Sequence, residues 1–85
     1  MRRTKNSCYL EALTESFRKI KDLGIGLNGS EHDRKVEIGK FLDKEVLLWS
    51  EWAREGLCKK YGTMFVDIAI NRLTLDIYDY FNNKK

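Results

Sequence analysis

With 85 residues, 42% of them apolar and 34% charged, the chain has the composition of one globular domain rather than a disordered or membrane-spanning segment. Its longest apolar runs, such as Val46-Leu47-Leu48-Trp49, fall far short of a membrane span, and the basic N-terminus lacks a signal-type apolar stretch, so a cytoplasmic protein is expected. Of the 16 basic residues behind the net charge of +3, five (Arg2, Arg3, Lys5, Lys84 and Lys85) sit at ends expected to be disordered, leaving 11 against 13 acidic residues, a mixed surface rather than a nucleic-acid-binding face.

The chain has no proline, and glycine punctuates it. Ser7 is the expected N-cap of a first helix over about 8–23, in which Leu10, Leu13, Phe17 and Ile20 recur at helical spacing. Gly24 is suited to a left-handed C-cap, with Ile25 folding back onto Ile20 as in a Schellman motif.

Ser30 with Asp33 resembles a capping box and opens a long helix expected over about 31–60, ended by Tyr61-Gly62. On one helical wheel Ile38, Phe41, Leu42, Val46, Leu48, Trp49, Trp52, Ala53 and Leu57 cover about 180° of the circumference, wider than an ordinary surface helix shows. Such a helix must pack on two sides, against neighbours in its own chain or against another subunit. A homo-oligomer is expected on that ground.

The segment about 64–82 allows two readings. The alternation of Val66, Ile68 and Ile70 suits a hairpin, but Asn71-Arg72 is a poor tight turn, and Phe65, Val66, Ala69, Ile70, Leu73, Ile77, Tyr80 and Phe81 form one helical face. Helix is preferred. Met64, Ile68, Asn71, Leu75 and Tyr78 repeat at 4-3-4-3 spacing on its other side, either a second seam with one polar position or a loosely covered outer face. The expectation is therefore an all-α, three-helix domain.

Catalytic chemistry finds little to stand on. His32 is a lone imidazole beside Glu31 and Asp33, Cys8 and Cys58 have no CxxC spacing and read as reduced thiols, and no cluster has metal-ligand spacing. No catalytic residue, metal or cofactor is expected. Gly24-Ile25-Gly26-Leu27-Asn28-Gly29 matches GxGxxG by letter but follows a helix rather than a strand. What remains is a glycine-rich turn feeding a helix N-terminus, flanked by Lys21, Arg34 and Lys35: either an anion site centred on Gly26 or plain helix punctuation.

Glu45 falls in the middle of the wide apolar face. It is either a clamp on a Lys or Arg of another helix or subunit, or a boundary residue. Trp49 and Trp52 suit a core or an interface, whereas Tyr9 and Tyr61, nearer the ends, are freer to stack on a ring. Glu45, Trp49, Trp52, Ile68, Asn71 and Leu75 are the expected oligomer contacts.

The stretch from Ile20 through Gly24, followed by Arg34 to Trp49 with Gly39 and Glu45 within it, resembles the helical hairpin of the phage anti-CBASS cyclic-oligonucleotide sponges, shared with some anti-Thoeris sponges. The family's usual Met before Trp is Leu48 here, and the part from Thr63 onward is not covered. The resemblance implies a phage counter-defence protein, a hexamer of helical hairpins that holds cyclic nucleotides between subunits without cleaving them. It implies a tyrosine for base stacking and a lysine for phosphate, with Tyr9 and Lys21 as the nearest residues.

Together these readings lead to a non-enzymatic helical binding protein that sequesters a nucleotide signal or inhibits a host protein. Two alternatives stand beside it: a small DNA-binding regulator using Arg18, Lys19 and Lys21, and a protein-directed inhibitor or assembly factor using the second seam.

Overall fold

The computed structural model describes residues 4–83 and contains four helices: α1 (Lys5–Leu23), α2 (Glu31–Leu48), α3 (Glu51–Lys60) and α4 (Val66–Asn83). Among the described residues no strand is present, so the all-α expectation holds and the three-helix description does not. Arg2, Arg3, Lys84 and Lys85 lie outside the described residues. Lys5, expected in a disordered end, instead opens α1 and pairs with Glu55 at 2.8 Å.

α1 starts earlier than the Ser7 cap implied. Thr4 is the N-cap: its Oγ1 accepts from the Ser7 amide, while the Thr4 amide donates to Ser7 Oγ, both at 3.0 Å. This is a capping box with serine in the place usually held by Glu or Gln, which is why spacing alone pointed three residues too far. The other end matches expectation. Gly24 is left-handed at φ 68°, and the Ile25 amide donates to the Ile20 carbonyl at 3.0 Å, the Schellman closure.

The main correction falls at Trp49-Ser50. α2 ends at Leu48, Trp49 adopts extended geometry, and Ser50 caps α3 by accepting from the Ala53 amide at 3.2 Å. Ser50-Glu51 is an ordinary helix-start signal, a capping hydroxyl followed by first-turn acid, set inside an unbroken apolar pattern. The face of about 180° is thus the sum of two narrower stripes on two helices pointing in different directions. Its breadth no longer calls for a second subunit.

α1 runs antiparallel to α3 and continues onto the C-terminal half of α2, bringing Lys5 to Glu55, Ser16 to Trp49 and Lys19 to Glu45. Close approach at the first crossing depends on Gly56, where an added Cβ would lie 2.4 Å from the Lys5 carbonyl oxygen and 2.7 Å from Tyr9 Cβ. α4 packs antiparallel on α2, with Tyr78 near Glu31, Thr74 beside Gly39, and Val66 and Ile70 flanking Val46 and Leu47. Ile20, Ile38, Leu42, Val46, Leu57 and Ala69 are fully buried where these helices meet. The segment that allowed a hairpin is helix; of its predicted face Ala69, Ile70, Leu73 and Ile77 are buried and Val66 and Phe81 half-buried, whereas Tyr80 and Phe65, which precedes the helix, are exposed.

Candidate functional site

The residues expected to hold a nucleotide are largely engaged within the chain. Tyr9 is only 2% exposed, and its ring meets Trp49 edge-on at 6.1 Å. Burial pushes its phenol pKa up, partly offset by a hydrogen bond with Tyr61. Tyr61, also read as free to stack, donates its hydroxyl to Asp76 at 2.5 Å, and burial together with that carboxylate drives its pKa far above the ordinary tyrosine range. Tyr9 therefore sits in the core, where no base can reach its face. Its nearness to the N-terminus misled because α3 folds back over the start of α1.

The glycine-rich turn shows the same self-sufficiency. The Gly26 amide, expected to face an anion, donates to the Glu37 carboxylate at 2.7 Å. Arg34 donates from Nε to the Gly26 carbonyl at 2.9 Å, and its guanidinium lies 4.8 Å from the centre of the Tyr78 ring. Lys35 pairs with Glu31 at 3.0 Å and also stands over Tyr78. A carboxylate of the chain thus occupies the position an external anion would take. Of the expected set, Lys21 stays exposed in the last turn of α1, where its charge complements the helix C-terminus.

Glu45 is the inter-helix clamp. Lys19 Nζ and Ser16 Oγ both donate to Glu45 Oε1 at 3.2 Å, and Trp49 Nε1 donates to Ser16 Oγ at 3.0 Å. The network is contained in one chain, which corrects the assignment of Glu45 and Trp49 to a subunit interface. Ser16 is buried, donating to Glu45 and accepting from Trp49, so its hydroxyl is engaged within the chain. Cys8 is buried and Cys58 half-buried, neither in a disulfide, and burial beside Glu55 pushes the Cys58 pKa up. Among the described residues, no group of three or more His, Cys, Asp or Glu side chains is placed to hold a metal ion, and no helix is long and apolar enough to cross a membrane.

Several large apolar side chains also remain open to solvent. On α4 the expected outer row keeps Ile68, Asn71 and Leu75, all exposed; Met64, also exposed, lies two residues before the helix, where helical spacing does not place it. Tyr78, the fifth member, is buried under Arg34 and Lys35 and leaves the row. Beside the row a groove runs between α2 and α4, lined by Val36, Gly39, Asp43, Asn71, Thr74 and Leu75 and continuing past Asp43 and Asn71 toward Leu47 and Val66. Leu47 and Leu48 are 78% and 79% exposed, and Trp52 half-exposed, at the α2–α3 corner. Burial of α4's other face could be read from the sequence, but the corner could not, because it exists only once the chain bends at Ser50.

Among the described residues the fold is four helices, all α, and the last helix leaves Ile68, Asn71 and Leu75 exposed on its outer side. Comparison of the chain with protein-family models, with curated proteins and with solved structures finds no match.

Proposed function

We propose that the chain is a non-enzymatic helical binding protein that works as a homo-oligomer, associating through the outer row of α4. The observation that carries this reading is the row itself. Ile68 and Leu75 are nearly half exposed on either side of Asn71, on a helix whose opposite face is sealed in the core, and Met64, 92% exposed, stands two residues before that helix. Scattered surface apolar residues are ordinary, but Ile68 and Leu75 share one helical stripe at coiled-coil spacing with Asn71 between them, and Met64 adds exposed apolar surface just ahead of it in the chain. The α2–α3 corner with Leu47, Leu48 and Trp52 stays outside that contact and suits the protein-directed inhibitor or assembly role.

Nucleotide capture, the role implied by the sponge resemblance, has less support. It needs a ring to stack on a base and free donors for phosphate, and Tyr9, Gly26 and Arg34 spend those groups inside the chain. The test is light scattering coupled to size exclusion across the micromolar range, run beside thermal shift with a panel of cyclic di- and trinucleotides. Concentration-dependent association without nucleotide stabilisation is expected. A strict monomer at the highest concentration would overturn the oligomeric reading, and stabilisation by a cyclic nucleotide would restore the capture role.

A further inference from the structure

Given self-association through α4, the charges flanking its outer row decide how two copies meet. Numbering the helical seam by heptad puts Ile68 and Leu75 at a, Asn71 at d, Asp67 at g and Arg72 at e. Asp67 and Arg72 are exposed, and among the described residues neither takes part in an ion pair. They are five residues apart, the g-to-e′ separation that brings opposite charges together across a parallel, in-register pair.

We infer that two copies pair through α4 in parallel and in register, with Asp67 of each copy against Arg72 of the other and the two Asn71 side chains facing each other across the seam. The antiparallel alternatives satisfy the charges less well, because they bring g beside g′ and e beside e′. Centred near Val66, an antiparallel pair sets Asp67 against its own counterpart. Centred near Leu73, it sets Arg72 against its own counterpart. Centred between Ala69 and Ile70, it faces Asp67 with Thr74 and Arg72 with Phe65, leaving both charges unpaired and Asn71 against Ile68. The parallel register alone forms two ion pairs and matches amide with amide. Each copy presents the same patch, as a two-fold interface requires.

Within the helix the seam has three layers, Ile68, Asn71 and Leu75, so the pair is weak and its charges carry the orientation. Two measurements test this beside wild-type association. In sedimentation equilibrium, Asp67→Arg weakens association about tenfold, since it replaces two attractions with two repulsions. The double variant Asp67→Arg/Arg72→Asp restores it. In the second measurement, Asn71→Cys under mild oxidation forms a disulfide between the two copies of position 71, identified by peptide mass. If wild-type protein associates but Asp67→Arg leaves the equilibrium unchanged, or Asn71→Cys yields no 71–71 link, the parallel pairing is wrong and self-association uses another arrangement. If wild-type protein does not associate at all, the oligomeric reading fails together with this one.

Discussion

Arg54 closes the end of α2 through the carbonyl of Trp49, to which its guanidinium donates at 2.5 Å. The same nitrogen reaches the Val46 carbonyl at 3.3 Å. A helix that stops leaves its last carbonyls without intrahelical donors, and here a side chain from the next helix supplies one. The bend at Trp49-Ser50 is thus held from both directions: Ser50 caps the start of α3 while Arg54, one turn later, caps the end of α2.

Arg54→Ala should therefore lower stability by about 1–2 kcal/mol, because it strands the part-buried Trp49 carbonyl, whereas the Val46 carbonyl keeps the Trp49 amide as a donor. Arg54→Lys should recover part of the loss, since an ammonium can donate to Trp49 but cannot span the same set of acceptors. Urea denaturation followed by tryptophan fluorescence checks both. An unchanged midpoint for Arg54→Ala would show that solvent satisfies the Trp49 carbonyl equally well.

Ser16 is the pivot of the polar network between α1 and α2, accepting from Trp49 and donating to Glu45. Ser16→Ala leaves the indole N–H buried without its acceptor and removes one donor from a carboxylate only 12% exposed. A loss of about 1–3 kcal/mol is expected. Glu45→Gln should cost less, because the amide oxygen still accepts from Ser16 and the Lys19 ammonium, 44% exposed, returns to water. Equilibrium unfolding of the two variants gives the order, and a Glu45→Gln loss exceeding that of Ser16→Ala would contradict it.

Two helical glycines should respond in opposite directions. At Gly56 an added methyl collides with the Lys5 backbone, so Gly56→Ala must push α1 from α3 and should destabilise by about 1–3 kcal/mol. At Gly39 the nearest atom to an added Cβ is Thr74 Oγ1 at 3.6 Å, an ordinary contact. Gly39→Ala should raise stability by up to about 1 kcal/mol through helix propensity. Thermal melts of both variants distinguish close packing from a mere glycine preference at these sites.

The particular residues explain how much of this was legible in the sequence. Gly24 and Ile25 announced the end of α1 because a left-handed glycine followed by an apolar residue is a local arrangement, complete within six residues. The face of α4 was legible because periodicity decides it without reference to the rest of the chain. Ser50 was not recognised as a cap because Val46, Trp49, Ala53 and Leu57 continue the helical wheel across it, and a bend that preserves the wheel leaves no mark on periodicity. Glu45 reads from its position either as a clamp on another helix or subunit or as a boundary residue, and only long-range packing, which brings Lys19 and Ser16 to it, decides between them. Tyr9 and Gly26 show the same limit. Their side chain and amide suit a ligand by type, and only the fold reveals that Trp49 and Glu37 have taken the ligand's place.

Buried Tyr9 and half-buried Tyr61 give the protein an alkaline limit. Tyr9 and Tyr61 both have phenol pKa values raised by burial, Tyr61 further by the neighbouring Asp76 carboxylate. In the unfolded chain they ionise near the ordinary value of about 10. Above that pH the unfolded state has released protons that the native state still holds, so stability falls as pH rises, having been fully present below it. Lysines titrate in the same window, so the slope alone does not identify the group. Tyr61→Phe does. It removes the Asp76 partner and lowers stability at neutral pH, but the decline between about pH 9.5 and 11 should become shallower than in the wild type. Urea midpoints measured across that range, with phenolate absorbance recorded in parallel, give the comparison. An identical slope in both proteins would mean that Tyr61 ionises in the folded chain as readily as in the unfolded one.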